Sequence, residues 1–244
     1  MLRFLVKSSL AALACLAVAV TAQAAQFDYL LLAASWQPGF CANHGTKPEC
    51  QNLAGTYAAN NLALHGLWPN NYDGSYPSYC GAPSRDVSLD KKSQWCSMDR
   101  YGVSSSVLSN LSNVMPGVVS CLDKHEWWKH GDCSGQSANT YWDNAAGLMQ
   151  RFGQTGFNTF LQQNAGGYVA LADLQNAFEG TFGSGSSSAI SFNCTDIGSD
   201  SYLTEVWIPL NPAALAAFPD PSALVGDATG NSTCPSDSIY IATP

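Results

Sequence analysis

Of the nine cysteines in this chain, eight lie between positions 41 and 234, and their placing constrains the fold more than any other feature. The ninth, Cys15, sits within an apolar run from Leu10 to Val20 that follows Arg3 and Lys7 and precedes Ala22-Gln23-Ala24. A basic start, an apolar middle and a small-residue cleavage site are the three parts of an export signal, here residues 1–24. The run is too short for a membrane span, which takes ~20 apolar residues. An exported chain with eight remaining cysteines is expected to close four disulfides. Zinc would favour closely spaced Cys-x-x-Cys pairs, and the sequence has none. On the order of a hundred pairings of eight cysteines stay open on the sequence alone. Only Cys41 and Cys50 suggest themselves, as the ends of a short Gly- and Pro-containing loop that a local bridge could close.

Residues 25–244 carry no long linker and no internal repeat, so a single domain is expected. Subtracting Arg3 and Lys7 from the 10 basic residues leaves 8 against 18 acidic, a net charge near −10 with histidine neutral. Such a surface does not hold a polyanion by many spread Lys and Arg contacts. Any affinity for phosphate is therefore local and partly made of protonated histidine.

Phe27 to Trp36, FDYLLLAASW, reads as a buried strand ended by Pro38-Gly39, and Asn61 to Trp68 as a second strand stopped at Pro69. Ser75 to Lys92 reads as irregular. Helices are expected over Val103–Val114, Leu122–His130, Thr140–Phe152 and Gly156–Gln163, with another starting at Asp173. Gly183 to Ser188, GSGSSS, reads as a flexible loop. Ala189–Cys194 and Tyr202–Leu210 read as an antiparallel pair. Strands at both ends and in the middle, without regular β-α-β alternation, point to the α+β class: a central, mostly antiparallel sheet with helices packed on it and disulfide staples.

The chemistry concentrates in two blocks. Lys124 to Cys133, KHEWWKHGDC, holds two of the four histidines, and Leu64 to Pro69, LHGLWP, holds a third. If the first block is helical, Glu126 and His130 share one face and His125 and Lys129 the adjacent stripe, with Trp127 and Trp128 left to anchor the other side. In the second block His65 stands beside Gly66 with Trp68 as an aromatic platform. A zinc protease helix needs its second histidine four residues after the first, whereas His130 follows His125 by five. No Gly-x-Ser-x-Gly is present for a serine hydrolase, and the Gly183–Ser188 run lacks the lysine of a phosphate loop.

LHGLWP and KHEWWKHGDC together resemble the two active-site segments of the ribonuclease T2 family, exported and metal-independent endoribonucleases. The likeness extends to SWQPGFC, NNYDGSYP and a YLTEVWI strand followed by a last cysteine, and covers most of residues 27–240. The cysteine placing looks most like the bacterial periplasmic ribonuclease I branch. The resemblance implies that His130 takes the ribose 2′-OH proton and His65 protonates the leaving 5′ oxygen. A 2′,3′-cyclic phosphate results and is opened to a 3′-phosphate. Glu126 and Lys129 would support the transition state and His125 would bind the phosphate, with an optimum on the mildly acidic side. Trp68 and Tyr76 match base-stacking positions, and Asn70 stands where many relatives carry an acid that contacts purines. The implied cysteine pairs are Cys41 with Cys50, Cys80 with Cys133, Cys96 with Cys121 and Cys194 with Cys234.

By the same resemblance the expected partner is single-stranded RNA, with no metal and no cofactor. DNA is no substrate, because it lacks the 2′-OH. After signal removal the chain is expected to be a monomer in the periplasm or outside the cell, with no membrane contact. A non-catalytic secreted module binding RNA or carbohydrate on the same fold would be favoured had His65 or His130 been replaced; both are present.

Overall fold

The computed structural model describes residues 26–226 and 231–244, so the expected export signal over residues 1–24 lies outside the described residues. Tyr29–Trp36 forms β1, and every one of its residues is buried, as suits an uninterrupted apolar run covered on both faces. Leu62–Asn70 forms β2, Tyr168–Val169 β3, Ser191–Ile197 β4, Asp200–Leu210 β5 and Ile239–Tyr240 β6. The sheet order is β2-β1-β5-β6-β3, with β4 also paired to β5. Neighbours are antiparallel except β5 and β6, which run parallel.

Seven α-helices are described: α1 Gln37–His44, α2 Ser84–Asp90, α3 Ser105–Val114, α4 Leu122–Lys129, α5 Ala138–Phe152, α6 Gly156–Asn164 and α7 Leu171–Phe182. Ser104, Ser137 and Thr155 cap α3, α5 and α6 by accepting the N–H of the residue three further on. Helix α5 turns Tyr141, Trp142, Ala145, Leu148, Met149 and Phe152 into the core, all of them inaccessible. Each such large side chain contributes roughly 1.5–3 kcal/mol on burial. The contiguous apolar core reaches from Leu30 to Ile241. No described helix is long and apolar enough to cross a membrane.

The disulfides join Cys41 to Cys50, Cys80 to Cys133, Cys96 to Cys121 and Cys194 to Cys234, the pairs the resemblance implies.

Several local readings are corrected. The Cys41–Cys50 stretch is no simple loop, because α1 runs through Cys41 and carries Pro38 in its first turn, where the missing N–H has no helical partner to lose. Strand β2 does not stop at Pro69 but continues to Asn70; it is an edge strand, so proline there costs no ladder bond on its free side. The irregular Ser75–Lys92 segment contains α2. Gly183–Ser188 leads into a 3-10 turn, Ser186–Ala189, with Ser187 Oγ donating to Glu179 at 2.5 Å. Helix α7 starts two residues earlier than Asp173, whose carboxylate takes the Ala170 N–H at 3.0 Å in the first turn. Helix α4 ends at Lys129, and His130 has left helical geometry at φ −125°, ψ −52°.

One irregularity matters for chemistry. Ala33 pairs with Gly66 and Ala34 with Leu64, so His65 is the extra residue of a β-bulge in β2. In a regular strand His65 and Trp68, three apart, would point to opposite faces. With the bulge their rings meet edge to face, centroids 5.2 Å apart, while Leu64 and Leu67 stay in the core. A second bulge lies in β5, where Asn193 pairs with Glu205 and Cys194 with Leu203, leaving Thr204 as the extra residue beside Glu205.

Candidate active site

Helix α4 places Glu126 under the edge of β2. It is almost wholly buried, at 1% side-chain exposure, and Trp68 Nε1 donates to its Oε2 at 2.5 Å. Its Oε1 lies 3.4 Å from His65 Nε2 and 3.6 Å from His125 Nε2. Gly66 is what permits this approach, since a Cβ there would overlap both Trp68 Nε1 and Glu126 Oε2. The backbone beneath is fixed by Tyr141, whose hydroxyl donates to the Leu67 carbonyl at 2.7 Å.

His130, just beyond α4, packs its ring 5.4 Å from that of Trp68 and 5.8 Å from that of Tyr76. His65 and His130 therefore both pack against the Trp68 ring. The Cys80–Cys133 disulfide and the Tyr79 N–H, which donates to the Lys129 carbonyl at 3.0 Å, tie the loop after β2 to the end of α4. His125 stacks on Trp95, centroids 4.7 Å apart, and its Nδ1 lies 2.5 Å from Asp90 Oδ1. Asp90 in turn accepts from the Tyr79 hydroxyl at 2.5 Å.

Behind His65 stands Glu205 of β5, with Oε1 2.6 Å from Nδ1 and Oε2 accepting the Trp207 Nε1–H at 2.5 Å. Carboxylates and imidazoles therefore alternate across the floor of the site: Glu205, His65, Glu126, His125, Asp90.

The electrostatics separate the two flanking histidines. For His65 burial pulls the pKa down, but the hydrogen bond and charge of Glu205 and the charge of Glu126 outweigh this and raise it to about 9. For His130 burial and the charges of Lys129, His125 and His65 all act one way and lower it to about 2. Burial pushes the Glu126 carboxyl up, against the charges of His65 and His125 and the Trp68 hydrogen bond. One ring is thus held protonated and the other neutral across a broad pH range, the charge states needed for one proton donor and one acceptor.

Of the residues singled out from the sequence, the structure gathers His65, Trp68, Tyr76, His125, Glu126 and His130 around one face. Lys129 is half-buried and acts by its charge on His65, Glu126 and His130. Tyr76 is 50% exposed beside His130. Asn70 ends β2 opposite Tyr29, with its carbonyl taking the Asp28 N–H at 2.8 Å. Trp127 is buried, and Trp128 is partly buried with its Nε1–H on the Asp99 carbonyl. Cys80, Asp132 and Cys133 come close enough to suggest a metal site, but the two sulfurs are bonded to each other and offer no thiolate. Glu205 and Asp90 escape a reading of the sequence. The signal for Glu205 is its position as the single charged residue of YLTEVWIPL; Asp90, in a stretch that reads as irregular, gives none.

A sequence profile of the Ribonuclease T2 family matches residues 27–223. Ribonuclease I of Escherichia coli is 31% identical over 214 residues, covering 80% of this chain and 79% of that protein. Extracellular ribonuclease LE of Solanum lycopersicum is 32% identical over 122 residues, 49% of this chain and 47% of that one. Among solved structures, the self-incompatibility-associated ribonuclease of Nicotiana alata superposes with a TM-score of 0.61 at 19% identity, over 89% of this chain and all of its own. RNase NT in complex with 5′-AMP superposes at 0.57 and 17% identity, over 88% and 98%. These two share the fold. With a profile match over most of its length and a relative at 31% identity along both chains, this chain belongs to the ribonuclease T2 family and is an endoribonuclease of that type.

Proposed function

We propose that the chain is an exported, single-domain endoribonuclease, periplasmic or secreted, that cleaves single-stranded RNA with low base specificity and without a metal. The observation that carries this reading is the packing of His65 and His130 against the same Trp68 ring, with opposite pKa shifts.

RNA brings its own nucleophile, the 2′-OH, to the scissile phosphate, so the protein has to supply only a base, an acid and stabilisation of the added negative charge. Neutral His130 takes the 2′-OH proton as that oxygen attacks phosphorus. Protonated His65 gives its Nε2 proton to the departing 5′ oxygen, leaving a 2′,3′-cyclic phosphate. Water then opens the ring to a 3′-phosphate with the two imidazoles exchanging roles. His125, facing the phosphate, and Lys129 supply positive charge, and Glu126 orients the imidazoles of His65 and His125, between which it lies. Trp68 and Tyr76, both against His130, offer the base-stacking faces, where stacking accepts any base, and Asn70, two residues beyond Trp68 on β2, is the polar base contact of this reading. The nucleotide complexes of neighbouring folds, such as RNase NT with 5′-AMP, support a nucleotide ligand of that size.

The test is digestion of a defined RNA at several pH values in excess chelator, with the termini identified. Cyclic and 3′-phosphate ends are expected, together with loss of cleavage in His65→Ala and His130→Ala and no cleavage of DNA. 5′-phosphate ends, or dependence on added metal, would overturn it.

A further inference from the structure

The three histidines of the site differ in what stands behind the ring. His65 Nδ1 meets Glu205 and His125 Nδ1 meets Asp90, at 2.6 and 2.5 Å. His130 Nδ1 is buried and, among the described residues, has no hydrogen-bond partner. The two imidazoles that serve as cations are backed by carboxylates, and the one that serves as a base is not. Asp90 stands behind a phosphate-binding group, but Glu205 stands behind the proton donor itself.

The geometry of Glu205 is specific. The bulge at Thr204 sets its side chain, which is 15% exposed, toward His65 across β1. Trp207 occupies Oε2, and Ser35 Oγ approaches Oε1 at 3.5 Å, so the carboxylate has little freedom to turn. Its one ionic partner among the described residues is His65. A carboxylate at Nδ1 of an imidazole fixes which nitrogen carries the outward proton and stabilises the protonated ring. Here that leaves Nε2–H on the side where Glu126 and the open face of the site lie.

We propose that Glu205 is the positioning residue of the proton donor: it anchors His65 through Nδ1 and backs it with a negative charge, so that Nε2–H is presented to the leaving 5′ oxygen. The proposal rests on His65 being the acid of the reaction. Other charged groups that face His65 are Glu126 and Lys129 from α4, and His44, Lys47 and Glu49 line the cavity beside it. Glu126 is shared with His125 and held by Trp68, so Glu205 is the carboxylate dedicated to this ring.

The test compares two substrates with the same adenosine 3′-phosphate half. Adenylyl-adenosine has a poor leaving group that needs a proton; the 4-nitrophenyl ester of adenosine 3′-phosphate expels 4-nitrophenolate, which departs without one. For Glu205→Gln, kcat is expected to fall about 10- to 100-fold on the dinucleotide and less than about threefold on the ester, since a residue that only positions the acid forfeits part of the ~10²- to 10⁴-fold that the acid itself contributes. The alkaline limb of the dinucleotide profile should move down by at least about one pH unit, as His65 returns toward its ordinary pKa of ~6.5. Glu205→Asp, which keeps the charge at shorter reach, should fall between. His65 is followed in parallel by NMR titration of histidine-labelled protein, which reads its protonation without activity. Should the Gln variant fail to fold, the Asp variant and the wild-type titration decide.

Equal losses on both substrates with an unmoved alkaline limb would mean that Glu205 is only structural, and the proposal fails. If His65→Ala itself shows no difference between the substrates, the assignment of His65 as acid fails instead.

Discussion

Trp68 gives its indole N–H to Glu126 at 2.5 Å, joining residues 58 apart in sequence and setting the N–H edge of the β2 ring against the buried carboxylate of α4. The contact depends on Gly66, which lies against both groups. Gly66→Ala is therefore expected to disrupt the site before it disrupts the fold. The added methyl must push Trp68 or Glu126 aside, and a displacement of about 1 Å at a catalytic group costs on the order of 10²-fold in rate. Backbone strain is not the cause, because Gly66 is not in the left-handed region. A kcat/KM loss of that size with a melting temperature lowered by only a few degrees is the expected result. Near wild-type activity would mean that the Trp68–Glu126 contact is unimportant.

Burying Glu126 costs folding free energy, because desolvation disfavours its charged form. Its carboxyl is raised in the folded state because desolvation exceeds the help it receives from His65, His125 and Trp68. For a raised group, the stability contribution is present below the unfolded pKa and lost as pH rises through the folded one. Glu126→Gln keeps the acceptor for Trp68 and removes the titration. The variant is expected to melt above the wild type at pH 7 and to lose that advantage near pH 4, while its RNA cleavage is greatly reduced. Melting curves at both pH values check the sign; a constant difference would show that Glu126 does not titrate between them.

Tyr76 offers a cleaner test of the proposed base stacking than Trp68. It is half exposed beside His130 and has no buried partner to leave behind. Base–aromatic stacking contributes about 1–3 kcal/mol. Tyr76→Ala is expected to raise KM about tenfold on a dinucleotide with kcat changed little, and to leave the melting temperature unchanged. A drop in kcat with KM constant would place Tyr76 with the reacting groups instead.

The two histidine blocks were legible in the sequence because their unusual residues are close together along the chain, and the strands and helices followed from apolar spacing. The means by which the blocks meet in one site were not. His65 reaches its place by a bulge, which depends on the pairing of Ala33 and Ala34 with β2 and leaves no mark within LHGLWP. Glu205 lies 140 residues from His65 and Asp90 lies 35 from His125, so their partnerships exist only after the sheet and α2 have formed. Helical spacing placed Glu126 and His130 on one face, yet the chain leaves the helix at His130. Helix α2 escaped notice because Ser84–Asp90 carries three charged residues and too few apolar ones to show a periodicity.

The Cys80–Cys133 bridge should matter to both stability and catalysis, and it can be separated from the others by loop length. In the chain-entropy treatment, closing its 53-residue separation constrains the unfolded state by about 4 kcal/mol, against about 2.5 kcal/mol for the nine-residue Cys41–Cys50 loop. The longer bridge also ends at Cys133, three residues past His130, and at Cys80, next to the Tyr79 that holds both Lys129 and Asp90. Replacing both Cys80 and Cys133 by alanine is expected to lower stability by the larger amount and to cut kcat as His130 and His125 lose their fixed positions. Replacing Cys41 and Cys50 is expected to lower stability by the smaller amount with kcat nearly kept. Denaturant unfolding of each variant, with rates measured well below the melting temperature, distinguishes the two bridges; equal effects on kcat would show that the Cys80–Cys133 clamp has no special hold on the site.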